Sequence, residues 1–282
     1  MKVAAIHVYP VKSLAGQSVA SADVEPWGLR HDRRWLVLEQ DGSVLTAREE
    51  HRLLGLSANP IANGIELTSS GGQTLVVPTP IDGEVVPTST SRLDSVRLAC
   101  DDAHRWLSGL LDRPLRLAWL DDPRRRSVST THGGVEGDSL SLADAGPLLL
   151  TSAESLRQLN DWMVEDALAR GADPPAPMEM ARFRPSVVVD DVPEAFEEDN
   201  WRTLRIGAAE FRFAEHCDRC VMTTLDPRTL AGGKEPLRTL AAHRQWDHKT
   251  WFGIRIVPAA PSVVRVGDHV AARASSAGGE LD

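Results

Sequence analysis

The stretch RWLVLEQDGSVLTAR at residues 34–48 decides the predicted fold class. Strand-forming residues stand on both sides of Asp41-Gly42, at 34–40 and 43–48. An Asp-Gly pair favours a two-residue type I′ hairpin, because glycine tolerates a positive φ. Gly71-Gly72 repeats the pattern between segments 65–69 and 73–77. The first hundred residues therefore predict an antiparallel sheet or barrel of short strands.

Two helices are predicted further along the chain. Asp101 is the predicted cap of a helix that runs to about Leu111. Its apolar face is predicted to consist of Trp106, Leu107, Leu110 and Leu111. Thr151, with Glu154 three residues later, forms a capping-box pattern that begins a longer helix. Strand-like segments at 186–190, 203–207 and 210–215 follow, and 265–273 is predicted as a closing strand.

These elements predict a mostly β protein with some α-helix, divided into two regions. Residues 1–109 form a predicted antiparallel N-terminal domain, 110–274 a second β-rich domain, and 275–282 a small, polar, disordered tail. The segment 121–138 is dense in Arg, Ser, Thr and Gly, and it is long for a loop in a compact domain. It is equally consistent with a lid over a site and with a disordered surface loop.

The composition excludes several classes of protein. The formal charge of −9 over 282 residues argues against a nucleic acid or an anionic membrane as the main partner. The N-terminal VAAIHVY is strand-like, and no apolar run approaches the ~20 residues of a membrane span. A soluble, cytoplasmic protein is expected. Three cysteines, an odd number, do not suit a secreted disulfide scaffold.

The clearest chemical motif is Cys217-Asp-Arg-Cys220. A thiolate is a nucleophile and a soft-metal ligand, and a neighbouring cation such as Arg219 favours it. A structural zinc site would need a second pair of ligands, which the sequence does not supply as another CxxC or HxxxH. A thioredoxin-like pair would begin a helix, whereas this pair ends a strand. A buried, inert thiol is the alternative, more for Cys217 than for Cys220.

Three cationic positions are candidates for binding an anion. Arg184 precedes Pro185 and is therefore biased towards a loop at the entry to a strand. A guanidinium there can bind phosphate in a bidentate manner, although an ordinary surface arginine is the simpler interpretation. Lys12 follows a proline at the end of a first strand and Arg33 opens a hairpin, so a sheet could bring both to one edge. The sequence alone does not establish that they meet.

Four motifs in order resemble a known family. They are YPVKSLAG at 9–16, GLRHDRRWLVLEQDG with LTAR at 28–48, RFRPSVVVD at 182–190, and CDRCVMTTLDP with KEPLRTL at 217–240. They resemble the MOSC-domain proteins that carry an N-terminal MOSC-associated β domain, a group that includes the mitochondrial amidoxime-reducing component and its bacterial relatives. The resemblance covers about Lys2 to Val270. It implies a MOSC β-barrel domain at 110–274, with a cofactor in the cleft between the two regions.

The resemblance also implies a set of site residues. In this family a molybdenum–molybdopterin cofactor takes one protein sulfur ligand, and the matching residue is Cys220. The matching cofactor-binding positions are Lys12, Ser13, Arg33, Asp144, Arg184, Ser186, Asp218 and Arg219. The chain departs from the family at Ser186, where Asn is frequent, and at Asp144-Ala145-Gly146, where hydroxyl residues are more common. These departures affect individual hydrogen bonds and not the metal ligand.

The resulting hypothesis is a molybdenum-dependent oxidoreductase that reduces N-hydroxylated compounds such as amidoximes, hydroxamic acids and N-hydroxylated bases. The metal performs the difficult step, and the protein provides orientation and electrostatics. The sequence contains no iron–sulfur spacing, no dinucleotide fingerprint and no haem signature. A separate electron donor is therefore expected, of the ferredoxin type or of the cytochrome b5 type with a flavin reductase.

Two alternatives come from other functional classes. Cys220 could hold a persulfide and deliver sulfur during the assembly of metal–sulfur cofactors, because MOSC domains resemble part of the enzymes that sulfurate molybdenum cofactor. That role needs an accessible thiolate and no stable metal. The chain could also bind or store a cofactor without turnover. Retention of a pterin phosphate by Lys12, Arg33 and Arg184 separates the first hypothesis from the persulfide carrier.

Overall fold

The computed structural model describes residues 1–274, and the predicted disordered tail at 275–282 lies outside this part of the chain. The strands β1 to β20 are Lys2–Val8, Gln17–Val19, Ser21–Glu25, Gly28–Leu29, Trp35–Glu39, Val44–Leu45, Ser57–Ile61, Gly64–Thr68, Thr74–Pro78, Val85–Pro87, Ser95–Leu98, Leu115–Trp119, Leu148–Ser152, Val187–Asp190, Trp201–Ile206, Ala209–Asp218, Gln245–Trp246, Lys249–Pro258, Ser262–Arg265 and Val270–Ala274. The helices α1, α2 and α3 are Asp101–Leu111, Ala153–Ala169 and Leu237–His243. The predicted class, mostly β with some α, is confirmed.

The strands form one large sheet and three small ones. The large sheet has the order β2-β1-β14-β13-β18-β16-β15-β20, with β17 paired to β18. Strands β10-β11-β12-β5-β6 form a second sheet, and β7-β8-β9 and β19-β3-β4 form two others. All pairs are antiparallel except β13 with β14, which run parallel. The first strand of the chain thus pairs with β14 in the large sheet, and the predicted division at residues 109 and 110 stays a prediction.

The two largest of five hydrophobic clusters among the described residues pack against these sheets. The first packs the inner face of β5 and β12 against α1, whose Ala103, Leu107 and Leu111 are buried at helical spacing. Trp106 and Leu110 of the predicted face lie at the margin of this core. The second core consists mainly of Val, Leu, Ile and Phe side chains, most of which come from the strands of the large sheet. Burial of such side chains contributes roughly 1.5–3 kcal/mol each and is the main source of stability.

Both predicted hairpins form, but their loops are longer than the predicted type I′ turns. In the first, the Glu39 amide donates to Ser43 O over 2.9 Å, so three residues form the loop. Only Gly42 in this loop has a positive φ, of 88°. A type I′ turn would require a positive φ at Asp41 as well, and a β-carbon makes that conformation costly. The second hairpin repeats the three-residue arrangement, with Gly72 in the left-handed position.

The predicted caps of both helices are each wrong by one residue. Helix α1 begins at Asp101 itself, after Cys100, and its first-turn carboxylates stabilise the positive end of the helix dipole. Helix α2 is capped by Ser152, whose hydroxyl accepts from the Ser155 amide over 3.0 Å. Thr151 lies one residue earlier within β13, and the helix follows directly after Ser152, the last residue of that strand.

Candidate functional site

The turn after β1 and the turn before β5 lie side by side. The Arg33 amide donates to Tyr9 O and the Lys12 amide to Trp35 O, each over 2.7 Å. The Tyr9 amide in turn donates to the buried carboxylate of Asp32 over 2.8 Å. These bonds cross between segments more than twenty residues apart in sequence. They bring Lys12 and Arg33 to one place, which the sequence alone could not establish.

Cys220 lies just beyond the end of β16, where the chain enters a 3-10 turn at Val221–Thr224. Its side chain is exposed, and the Arg48 Nη2 atom lies 3.5 Å from its sulfur. Cys217 is buried instead, and Arg219 Nη1 lies 2.9 Å from the Cys217 sulfur. The two cysteines therefore have different surroundings. Of the pair, Cys220 is the cysteine with an accessible sulfur.

These segments line a pocket that is open to solvent and has a cavity volume of about 140 Å³. The predicted site residues that line it are Lys12, Ser13, Arg33, Asp144, Arg184, Asp218, Arg219 and Cys220. Ser186 is fully buried beneath it, and its hydroxyl accepts from the Leu149 amide over 3.3 Å. Its place as a cofactor contact stays a prediction.

Positive charge dominates the pocket. Seven cationic side chains and two carboxylates line it, although the whole chain carries a formal charge of −9. Lys12 donates to Leu142 O over 2.9 Å and also forms an ion pair with Asp144. The Lys12 ammonium holds the pKa of the Asp144 carboxyl well below its usual range. Asp144 is therefore ionised at neutral pH, and the pocket still has a net positive charge.

Arg184 is held in the pocket without an acidic partner. Its guanidinium lies 4.2 Å from the centre of the Tyr9 ring, and that of Arg33 lies 4.5 Å from the same ring. Burial lowers the pKa of Arg184 to about 10, so it stays charged at pH 7. No carboxylate within residues 1–274 pairs with it, whereas Arg33 pairs with Asp32. A half-buried cation of this kind suits an incoming anion.

Three residues around this pocket hold a left-handed backbone without being glycine. Ser13 has φ of 70°, Arg33 of 48° and Arg184 of 54°. Such conformations cost on the order of 1–3 kcal/mol each and cluster where side chains grip a ligand. The chain tolerates this strain at three positions that line one pocket. Such strain at three pocket-lining residues is typical of a preorganised binding site.

Asp218 and Arg219 support the pocket wall in different directions. Asp218 accepts from Arg255 over 2.9 Å, and Arg255 also pairs with Glu215. Arg219 donates from Nη2 to Phe183 O over 2.7 Å and contacts the Cys217 sulfur with Nη1. Both predicted residues thus hold the strand end that carries Cys220. Their direct contact with a cofactor stays a prediction.

Sequence reasoning did not select Thr46, Arg48, Arg182 and Arg255, although all four line the pocket. The signal for the first two was the LTAR motif, and RFR contained Arg182. Arg255 had no signal, because it reaches the pocket only through the pairing of β18 with β16. A β-carbon at Gly146 would lie 3.0 Å from that of Arg255, so the glycine leaves room for the arginine.

The wall at residues 143–146 offers further donors to the pocket. None of its four backbone amides donates to another of the described residues, although all four residues line the pocket. Successive free amides favour an anion. No group of three or more His, Cys, Asp or Glu side chains within residues 1–274 is arranged to hold a metal. A metal at Cys220 would therefore take most of its ligands from a bound organic group.

The donor set fits a molybdenum–pterin cofactor on these grounds. Cys220 offers one soft sulfur ligand, while Arg184, Lys12 and the wall amides offer donors to an anionic phosphate. The segment 121–138 contributes no residue to the pocket lining. Its proposed role as a lid has no support in this arrangement.

Comparison with known proteins gives two successive family matches. The MOSC N-terminal beta barrel domain matches residues 1–114, and the MOSC domain matches residues 137–271. Mitochondrial amidoxime-reducing component 1 of Homo sapiens is 31% identical over 95% of this chain and 82% of its own length. Mitochondrial amidoxime reducing component 2 of Homo sapiens is 32% identical over the same shares. The YUAD protein of Bacillus subtilis has a TM-score of 0.41 at 11% identity, covering 95% of this chain and 93% of its own.

The predicted cytoplasmic location stays a prediction. Within residues 1–274, the helices are too short or too polar to cross a membrane. The two human relatives are named as mitochondrial proteins.

Proposed function

The chain belongs to the family of MOSC proteins with a MOSC N-terminal beta barrel domain, and from this premise we propose that it is a molybdenum-cofactor-dependent oxidoreductase. Its proposed substrates are small N-hydroxylated compounds: amidoximes, hydroxamic acids and N-hydroxylated bases. The names of the amidoxime-reducing relatives support this class. The observation that carries the proposal is the exposed Cys220 sulfur inside a strongly cationic pocket.

The protein residues have separate tasks in this proposal. Cys220 provides the single protein sulfur ligand. Arg184 and Lys12, with the amides of the 143–146 wall, hold the anionic phosphate of the pterin. Arg48 lies beside both the Cys220 sulfur and Asp144, so its charge stabilises an anionic sulfur.

The bound group would supply the two-electron chemistry that breaks an N–O bond. Reduction of an amidoxime to an amidine consumes two electrons and two protons and releases one water. The two electrons are proposed to come from a separate one-electron carrier protein, of the ferredoxin or cytochrome b5 type. The pocket's opening to solvent gives a small substrate access.

A second candidate is the persulfide carrier. The exposure of Cys220 and the nearby Arg48 guanidinium favour it, because a carrier needs an accessible, anionic sulfur. The cationic pocket favours the first candidate, since a persulfide carrier has no need for a phosphate site.

The test compares wild type with Cys220→Ser, with Cys100→Ser as the matched control. Cys100 is also exposed, but it lies at the start of α1 and does not line the pocket. Proteins from a cofactor-competent host are analysed for molybdenum and for pterin fluorescence after acid oxidation. We expect stoichiometric molybdenum and pterin in wild type and Cys100→Ser, and loss of molybdenum in Cys220→Ser.

The same three proteins are then assayed for conversion of an amidoxime to its amidine, with reduced viologen as an artificial electron donor. We expect conversion by wild type and Cys100→Ser only. Absence of both molybdenum and pterin from the wild type would overturn the proposal. Cyanide-releasable sulfur on Cys220 under those conditions would favour the persulfide carrier.

A further inference from the structure

The 121–138 segment is closed at its base and is not a free lid. The Leu140 amide donates to Arg126 O over 3.0 Å, and the Val128 amide donates to Asp138 O over 3.1 Å. Two contacts with β16 fix its outer part: His132 pairs with Glu215, and Arg212 donates to the backbone of Gly133. The segment therefore packs as a folded hairpin-like unit against the strand that leads to Cys220.

Arg126 passes from the base of this segment beneath the pocket wall. Its side chain is 2% exposed. The guanidinium donates to Ala143 O over 2.6 Å, to Ser141 O, and to Ser91 O over 3.0 Å. No carboxylate among residues 1–274 forms a salt bridge with it, and burial lowers the pKa of Arg126 to about 10. It is thus a buried cation whose partners are backbone carbonyls.

Lys12 holds the same wall from the pocket side. It donates to Leu142 O over 2.9 Å, and Leu142 lies between Ser141 and Ala143, whose carbonyls Arg126 binds. Three successive carbonyls, at 141, 142 and 143, are therefore held by two cations. The next residue is Asp144, which accepts from Arg48 Nη2 over 3.2 Å, and that nitrogen lies 3.5 Å from the Cys220 sulfur.

The direction of these carbonyls determines the direction of the amides. In a planar trans peptide the C=O and the following N–H point in opposite directions. Because Ala143 O points to Arg126, the Asp144 amide points away from Arg126. Charge-assisted hydrogen bonds are stronger than neutral ones, so the guanidinium resists rotation of this peptide. A neutral residue at 126 would leave buried carbonyls without donors.

We propose that Arg126 is a positioning residue, which fixes the backbone at 141–143 so that Asp144 and its amide, in the wall at residues 143–146, face the bound ligand. The inference rests on the proposed function only in naming that ligand as the anionic pterin cofactor. Arg126 acts through the wall and does not itself line the pocket. The 121–138 segment is thereby assigned a supporting role behind the site.

The test uses Arg126→Gln and Arg126→Lys, with Arg116→Gln as the matched control. The Arg116 guanidinium also donates to two backbone carbonyls, Gln40 O over 2.9 Å and Glu39 O over 3.1 Å, but it lies outside the pocket. Hydrogen exchange of the peptide covering 139–149 is measured by mass spectrometry. Pterin content is measured on the same preparations, and thermal unfolding shows that each variant is folded.

We expect faster exchange at 139–149 in Arg126→Gln, and pterin content reduced roughly 10- to 100-fold, as for other residues that orient a cofactor's ligands. Arg126→Lys keeps the charge and should retain an intermediate pterin content. Arg116→Gln should exchange faster only near Glu39 and Gln40, with full pterin content even at an equal loss of thermal stability. The lysine variant also provides the comparison if the glutamine variant does not fold.

Exchange at 139–149 in Arg126→Gln equal to that in wild type would overturn the proposal. Faster exchange with unchanged pterin content would also overturn it, because the cofactor would then not need a fixed wall. The exchange measurement requires no cofactor. A wild type without pterin therefore defeats the proposed function, while the exchange result still decides whether Arg126 holds the wall.

Discussion

The pocket and the N-terminal end of helix α2 both contain buried charge that no opposite charge balances, but the signs differ. In the pocket, Arg184 has no acidic partner and lies near the other cations. At the end of α2, Glu198 is fully buried and accepts from the Ser155 hydroxyl over 2.7 and 2.9 Å. No cation within residues 1–274 forms a salt bridge with Glu198; burial raises the pKa of its carboxyl, and the neighbouring Asp199 adds to this.

The two regions show two outcomes of unbalanced charge. The pocket opens to solvent, so an anionic ligand can enter and neutralise its cations. The site around Glu198 is closed and can be neutralised only by a proton. Burial raises the pKa of Glu198 to about 7, whereas burial still leaves Arg184 charged at that pH. Unbalanced charge is therefore available to bind an anion in the first region, and it costs stability in the second.

The largest predicted effect concerns Glu198. Its carboxyl has a pKa of about 7 in the folded protein against 4.5 in the unfolded chain. Between these values the unfolded chain releases a proton that the folded protein keeps, so the free energy of unfolding falls as pH rises through this window. The shift corresponds to about 3 kcal/mol. Glu198→Gln should remove this fall, as measured by urea unfolding from pH 4 to pH 8.

Glu136→Gln is the control, because Glu136 is exposed in the 121–138 segment. It should reproduce the pH dependence of the wild type. If Glu198→Gln also follows the wild-type curve, the carboxyl is not protonated near neutral pH and the contrast with the pocket is lost.

The second prediction concerns the open region. Arg184→Gln removes a cation that has no acidic partner, so the folded protein should lose little stability while an anionic ligand loses a charged donor. We expect the pterin content of the purified protein to fall roughly 10-fold or more. Fluorescence after acid oxidation measures this.

Arg52→Gln provides the comparison for a balanced arginine. Arg52 pairs with Glu50 and Asp112, and its side chain is 47% exposed and outside the pocket. Exposed ion pairs contribute about 0–1 kcal/mol, and pterin content should not change. Equal pterin content in the two variants would show that Arg184, although it has no acidic partner, does not bind the anionic ligand.

Local patterns predicted much of the fold, but they predicted little about which distant parts of the chain come together. Strand-forming segments around glycine turns and the apolar spacing of α1 depend on near neighbours, so the sequence contained them. The hairpin loops and the helix caps differed by one residue because strand pairing and backbone conformation, not residue preference alone, set those ends. The pairing of β1 with β14 joins distant parts of the chain and left no local signal.

The candidate site shows the same limit. Lys12, Arg33, Arg184 and Cys220 were candidates on their own chemistry, and only the family resemblance joined them into one site. Arg255 and Arg126 were missed for a physical reason. Arg255 arrives by strand pairing, and Arg126 binds carbonyls, which every residue possesses and no motif records. Residues that act through the backbone of others are hidden from sequence patterns.

The smallest predicted effect concerns Asp144, the balanced carboxylate of the pocket. Lys12 holds the pKa of Asp144 below its usual range, so the ion pair stabilises the folded protein above about pH 4. As pH falls below that value, protonation progressively removes the contribution. Because the carboxylate is 57% exposed, solvent limits the effect to about 0.2–1 kcal/mol.

Asp144→Asn should therefore show a shallower loss of stability than wild type between pH 5 and pH 2.5, as measured by urea unfolding. Asp82→Asn is the control, since Asp82 is exposed and forms no salt bridge within residues 1–274. Parallel curves for wild type and Asp144→Asn would show that the pocket cations do not hold this carboxylate. Solvent would then already screen the positive charge of the pocket. The unpaired charge of Arg184 would favour binding of an anion less than burial of Glu198 favours its protonation.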